Sequence, residues 1–324
     1  MRVVFIGTGE IGVPTLRFLA QSRELELVGV VTQPDRPVGR EQRMQAPPIK
    51  TALADTVVPV FQPERIKRPD AVAEIRALAP DAIVVMAYGQ ILPRSVLEIP
   101  PLGCLNLHAS LLPKYRGAAP IQAAIVAGET ETGITVMYMD EGLDTGDMLL
   151  SSAIPISPDE TGGSLHDRLA QIAPGALADA LQLLANGAAP RVPQNAAAAS
   201  YAPKLEREHG QIDWHEAAAV IERKIRAFDP WPGTFTIVRD ASGQDRKMKI
   251  FPPVSVAGEA LEPGEIRLAE RDLLIGTGTA SLRVGDVQLE GNKRMAAGNF
   301  VRGQPWITSA HAVSFSFPSA KPSA

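Results

Sequence analysis

Residues 2–19 read RVVFIGTGEIGVPTLRFL: an apolar, β-branched run closes on Gly7, and apolar residues then recur at helical spacing from Val13 to Leu19. A strand that enters a Gly turn and opens a helix is the repeating unit of an α/β sheet. The alternation continues downstream. LELVGVVT (25–32), AIVVMAY (82–88), CLNLH (104–108) and GITVMYM (133–139) are strand-like, and Ala71–Leu78 and Ile121–Ala127 carry helical periods between them. Strands this uniformly apolar are buried on both faces, so an α/β fold with a Rossmann-like parallel sheet covered by crossover helices is expected. MDEGLDTGDMLLSSAIPI (139–156) reads as a loop and a further strand, and 161–186 as one long helix opened by Thr161 or Ser164.

Beyond residue 186 the composition shifts. GAAPRVPQNAAAASYAPK (187–204) holds three prolines and little periodicity, the mark of an extended linker. From Leu205 an amphipathic helix over about 215–227 precedes TFTIV, KMKIF, GEIRL, LLIGT and ASLRVGDVQL, short strands separated by Gly and Pro. That pattern predicts a small C-terminal β-barrel of OB-like type. The expected organisation is a catalytic domain over 1–186, a linker over 187–204, a barrel over 205–307 and a disordered tail over 308–324.

A chain of 324 residues that is 45% hydrophobic and 21% charged is an ordinary globular protein with room for two cores. The first apolar run is too short for a signal peptide or a membrane anchor, which predicts a cytoplasmic protein with no membrane partner. Cys104 stands alone, so neither a disulfide nor a cysteine zinc site can form within the chain. A net charge of −4 offers no global attraction to nucleic acid, and any RNA contact must be local.

Gly7-Thr-Gly-Glu-Ile-Gly12 fits the dinucleotide fingerprint, but the acidic residue expected about twenty positions on is replaced by Thr32 and Gln33. The glycines are better read as a tight turn, with no nicotinamide bound. Asn106 and His108 alternate with Leu105 and Leu107, so they share one face at the C-terminal end of a strand, where open α/β sheets bind ligands. Asp140-Glu-Gly-Leu-Asp-Thr-Gly-Asp147 supplies four acids without the calcium-loop spacing, and one of them could support the imidazole. No metal is expected. Ser110 lies nearby outside any nucleophile elbow. An amide, an imidazole and a carboxylate without a nucleophilic side chain suit direct acyl transfer to an incoming nucleophile, the amide donating to the oxyanion.

NLHASLLPKYRGAAPIQ (106–122), DEGLDTGD (140–147), TQPDRPVGR (32–40), AYGQILP (87–93) and IRAFDPWPG (225–233) together resemble the methionyl-tRNA formyltransferases, in order and from Met1 to about Trp306. The resemblance implies transfer of a formyl group from 10-formyltetrahydrofolate to methionyl-initiator tRNA, by a monomer. It implies Asn106, His108 and Asp144 as the catalytic set. Ser110, Leu111, Leu112 and Pro113 would border the folate, and Ala87, Tyr88, Gly89, Ile91, Leu92 and Asp140 would flank its pterin. Arg40 and Arg43 fall in an inserted loop that reaches the tRNA acceptor end, and Lys293 and Arg294 form a basic stretch on the barrel. Two departures stand out. The family usually has Gly-Thr-Pro at 7–9, and its inserted loop is commonly more basic than Gly39-Arg-Glu-Gln-Arg-Met44. Other acceptors remain open on the catalytic triplet alone, namely an amino-sugar nucleotide or water, as do an oxidoreductase and a non-catalytic RNA-binding module.

Overall fold

The computed structural model describes residues 1–39 and 41–313, and the chain divides into two units. The first comprises Met1–Pro120, Glu131–Pro155 and His166–Ala202; the second comprises Ile121–Thr130, Ile156–Leu165 and the chain from Pro203.

The first unit is built on seven strands, β1 (Arg2–Gly7), β2 (Glu26–Val31), β3 (Val60–Phe61), β4 (Ala82–Met86), β5 (Cys104–His108), β6 (Glu131–Tyr138) and β7 (Met148–Pro155), in the order β7-β6-β5-β4-β1-β2-β3. Strands β1 to β5 are parallel neighbours. All of β4 is buried, as is β1 from Val3 onward, which accounts for the uniformly apolar runs. The flanking helices Val13–Gln21 and Pro69–Ala77 each place a proline in the first turn, where its missing N–H costs nothing.

One expectation needs correcting. The 133–139 run is not part of the parallel set: β6 is antiparallel to β5, and β7 to β6. His108 pairs with Thr135 and Leu105 with Tyr138, so β6 starts at the end where β5 stops and the chain makes no crossover between them. Apolar period identifies a strand but carries no direction.

The segment expected to be a linker runs along the first unit. Met148 and Val192 exchange backbone bonds at 2.9 and 3.0 Å, and Tyr201–Ala202 pairs in parallel with Arg116–Gly117. The long helix Gly162–Ala185 opens as read: Ser164 N donates to Thr161 Oγ1 at 3.1 Å while Thr161 N donates to Ser164 Oγ at 3.0 Å.

In the second unit, β8 (Thr234–Arg239), β9 (Asp245–Ala257), β10 (Ile266–Ala269), β11 (Asp272–Gly276), β12 (Ser281–Leu289) and β13 (Ala312–Val313) form an antiparallel sheet in the order β10-β11-β12-β9-β8-β13. Glu265 bridges His311, and Ala312 N donates to Gly264 O at 2.8 Å, so the last strand returns to the first and the barrel closes. Its core gathers Trp214, Ile221, Ile225, Val238, Met248, Val287 and Phe300. A second helix, Ala297–Gly303, joins the expected one, found at Ala218–Ala227. The tail expected over 308–324 is corrected in part, because Ala312–Val313 is a barrel strand. Residues 314–324 lie outside the described residues.

Candidate active site

Four loops leave the C-terminal ends of β1, β2, β4 and β5, the edge where ligands bind in open α/β sheets. The Gly7–Gly12 turn is occupied by protein. Thr8 N and Gly9 N donate to Ala87 O at 3.2 and 3.4 Å, so the amides that would cradle a pyrophosphate are spent on the neighbouring loop. Gly7 is required sterically, since a Cβ there would lie 2.6 Å from the Phe5 ring and 2.7 Å from Met86 O.

Asn106 and His108 sit on β5 with their side chains on one face, and Leu105 and Leu107, on the other, are buried in the core. Asp144 reaches them from the loop joining β6 and β7. Its Oδ1 accepts from Asn106 Nδ2 at 3.2 Å, and its Oδ2 accepts from Gly117 N at 2.9 Å and lies 3.6 Å from His108 Nδ1. The amide orientation follows from the carboxylate, which an amide oxygen would repel. The other imidazole nitrogen, Nε2, is 2.8 Å from Tyr115 O. A carbonyl only accepts, so Nε2 carries a proton. The ring is thus held at Nε2 by the Tyr115 carbonyl, with Nδ1 turned toward the Asp144 carboxylate. His108 is 5% exposed. Of the four acids in the loop, Asp144 alone makes these contacts. Asp140 accepts from Gly142 N and Thr145 Oγ1 and shapes the loop instead.

No side chain here is poised as a nucleophile. Ser110 is fully buried and donates to Lys114 O at 2.7 Å, while its own carbonyl accepts from Thr135 Oγ1. Cys104 is buried and its thiol is pushed up to about 12 by desolvation, which leaves it protonated and inert. Among the described residues no group of three or more His, Cys, Asp or Glu could hold a metal ion.

The residues expected to border a folate divide by direction. Leu112, Tyr88 and Leu92 are buried, the last two in a cluster with Val4, Val85 and Val96, so only their main chain is available to a ligand. Leu111 and Pro113 are half-buried, and Ala87, Gly89 and Ile91 are exposed, Ile91 at 80%. Leu143, in the loop carrying Asp144, is 56% exposed. The backbone between β4 and Ile91 is in the left-handed region at Ala87 (φ 49°) and Gly89 (φ 84°). The Tyr88 hydroxyl finds no partner among the described residues and is pushed up to about 12 by burial.

Arg40 lies outside the described residues. Arg43 sits on an exposed hairpin, Arg36–Val38 with Arg43–Gln45, and pairs with Glu41 at 2.6 Å. Lys293 is exposed; Arg294 pairs with Asp286 at 2.8 Å and covers the Phe251 ring at 4.4 Å. Sequence reading missed Tyr115 O and Gly117 N, the two backbone groups that hold His108 and Asp144. The available signal was Gly117: its φ of 110° excludes a side chain, and a Cβ would lie 2.6 Å from Ala202 O.

Comparisons with known proteins show the family. A model of the formyl transferases matches residues 1–181, and a model of their C-terminal domain matches 204–305, so the chain has the two-part build of a formyl transferase. A methionyl-tRNA formyltransferase of Akkermansia muciniphila is 48% identical over 313 residues, covering 96% of this chain and 99% of the relative. The chain belongs to the methionyl-tRNA formyltransferase family. Among solved structures, a methionyl-tRNA formyltransferase of Clostridium thermocellum shares the fold with a TM-score of 0.55 at 14% identity, over 88% of this chain and 98% of that one. HypX of Aquifex aeolicus, solved in complex with tetrahydrofolic acid, shares it with a TM-score of 0.60 at 18% identity, over 93% of this chain and 47% of that one. This chain thus spans about half of HypX.

Proposed function

We propose that this chain transfers the formyl group of 10-formyltetrahydrofolate to the α-amino group of methionine on initiator tRNA, in the cytoplasm, at the start of translation. The observation that carries the reading is the Asn106, His108 and Asp144 constellation without a nucleophile, in a chain matched over 96% of its length by a curated relative that bears that name.

The chemistry follows from what each group has left to offer. One Nδ2 hydrogen of Asn106 is held by Asp144, and the second is free to donate to the oxygen of the formyl carbonyl as negative charge builds there. The acceptor brings its own nucleophile. An α-amino group has a pKa of about 7.7–8.0, so a useful neutral fraction exists near neutral pH. Its nitrogen attacks the formyl carbon, the new C–N bond forms, and the bond from that carbon to N10 of the folate breaks. Asp144, supported by His108 and Gly117 N, takes the proton the amine loses and returns it to N10. Exposed Ile91 and Leu143 hold the folate ring, and Arg40, Arg43 and Lys293 meet the tRNA. The test is an acceptor comparison with one formyl donor: methionyl-initiator tRNA should be formylated far faster than an amino-sugar nucleotide or water. Equal or better use of either alternative would overturn the assignment.

A further inference from the structure

We propose that Gln194 is a positioning residue for formyl transfer, acting through the main chain of Asp144; the inference rests on the reading above. Asp144 has φ 52°, a left-handed conformation that costs a non-glycine residue about 1–2 kcal/mol. From within, Asp140 braces the loop through Gly142 N and Thr145 Oγ1. The carbonyls around Asp144 are held from outside. Gln194 Nε2 donates to Asp144 O at 2.9 Å and to Gly146 O at 2.8 Å, bridging the two carbonyls that fix the turn. Its Oε1 accepts from Arg116 Nε at 3.0 Å and Arg116 Nη2 at 2.7 Å.

Both donors and both acceptor positions of the amide are therefore used, and this explains why glutamine stands here. A glutamate cannot donate, an arginine cannot accept, and an asparagine is one methylene short. Arg116 is itself 5% exposed and lies between the two backbone groups of the site, Tyr115 O against His108 and Gly117 N against Asp144. The residues form a closed circuit: Asp144 carboxylate, Gly117, Arg116 guanidinium, Gln194 amide, Asp144 carbonyl. Ser200 completes the support, its carbonyl accepting from Arg116 N at 2.8 Å and its hydroxyl from Tyr115 N at 2.9 Å. The segment that sequence alone reads as a linker is thus the outer wall of the catalytic geometry.

The test is steady-state formyl transfer to methionyl-initiator tRNA, with folate affinity measured separately by tetrahydrofolate binding. Gln194→Ala should lower kcat on the order of 10- to 100-fold, because a misplacement near 1 Å can cost about 10² in rate. Its KM for formyl donor and its tetrahydrofolate affinity should stay within about twofold of wild type, since the folate-facing side chains are untouched. Gln194→Glu keeps the acceptor for Arg116 and loses both donors, so it should be no faster than Gln194→Ala. In an Asp144→Asn background either substitution should add little, because the group it positions is already disabled. If Gln194→Ala fails to fold, Gln194→Glu, which retains the Arg116 contact, supplies the same cycle. Wild-type turnover in Gln194→Glu, a parallel loss of folate affinity, or multiplicative losses in the Asp144→Asn background would each overturn the proposal. A wild-type chain that formylates no tRNA at all would instead sink the functional reading on which it rests.

Discussion

At the scale of single residues the account turns on which hydrogen goes where. Asn106 divides its amide between Asp144 and the reacting carbonyl, so Asn106→Ala should lower turnover by about 10²–10³, the usual cost of one oxyanion donor, with tetrahydrofolate binding retained. Rapid kinetics beside a binding titration checks both halves. His108 and Asp144 share one contact and should act as a unit, so the double variant should be barely slower than the worse single one; independent, multiplying losses would separate them. Asn106 and His108 were legible because alternation on a strand puts them on one face. Asp144 was not separable from Asp140, Glu141 and Asp147 by pattern. What distinguishes it is its φ of 52° and the Gly117 amide, both products of long-range packing. Tyr88 and Leu92 show the converse: motif membership places them by a ligand, and their side chains lie in the core, which leaves the main chain to face one.

At the scale of elements, type was readable and direction was not. The helices Val13–Gln21, Pro69–Ala77 and Gly162–Ala185 fall where periodicity and capping residues put them. The strand Glu131–Tyr138 was found but its antiparallel sense was invisible, since pairing partners lie outside any local window. The same blindness made 187–204 look like a linker, for two-residue pairings such as Tyr201–Ala202 with Arg116–Gly117 leave no period. That pairing predicts a measurable sensitivity. Gly117→Ala must place a Cβ against Ala202 O at positive φ, and it should cost about 1–3 kcal/mol in urea unfolding while also slowing transfer, because the amide it carries holds Asp144. An unfolding midpoint equal to wild type would show that the local backbone relaxes freely.

At the scale of the whole molecule the net charge of −4 gives no attraction to tRNA, so the proposed binding has to rest on local cations. The structure ranks them. Lys293 has an exposed side chain, whereas Arg294 is tied to Asp286 and laid over Phe251. Lys293→Ala should therefore flatten the dependence of log binding constant on log salt by about 0.9, one phosphate contact, and Arg294→Ala by less. In the inserted loop Glu41 engages Arg43, so Glu41→Gln should free that cation and steepen the slope. Unchanged slopes in both directions would remove these residues from the tRNA track. The barrel itself was foreseen from its short strands, but its closure by Ala312–Val313 was not, because two residues in a stretch without alternation carry no pattern.

The central claim, direct transfer of a formyl group to the amine of methionyl-initiator tRNA, is tested most directly by a single-turnover, rapid-quench experiment with carbon-labelled formyl donor and excess enzyme. The site described here predicts that label passes from the folate to the methionine nitrogen in one phase, with none on the protein at any time and no formate released ahead of it. Label trapped on the polypeptide, or formate appearing in place of formylmethionyl-tRNA, would contradict it.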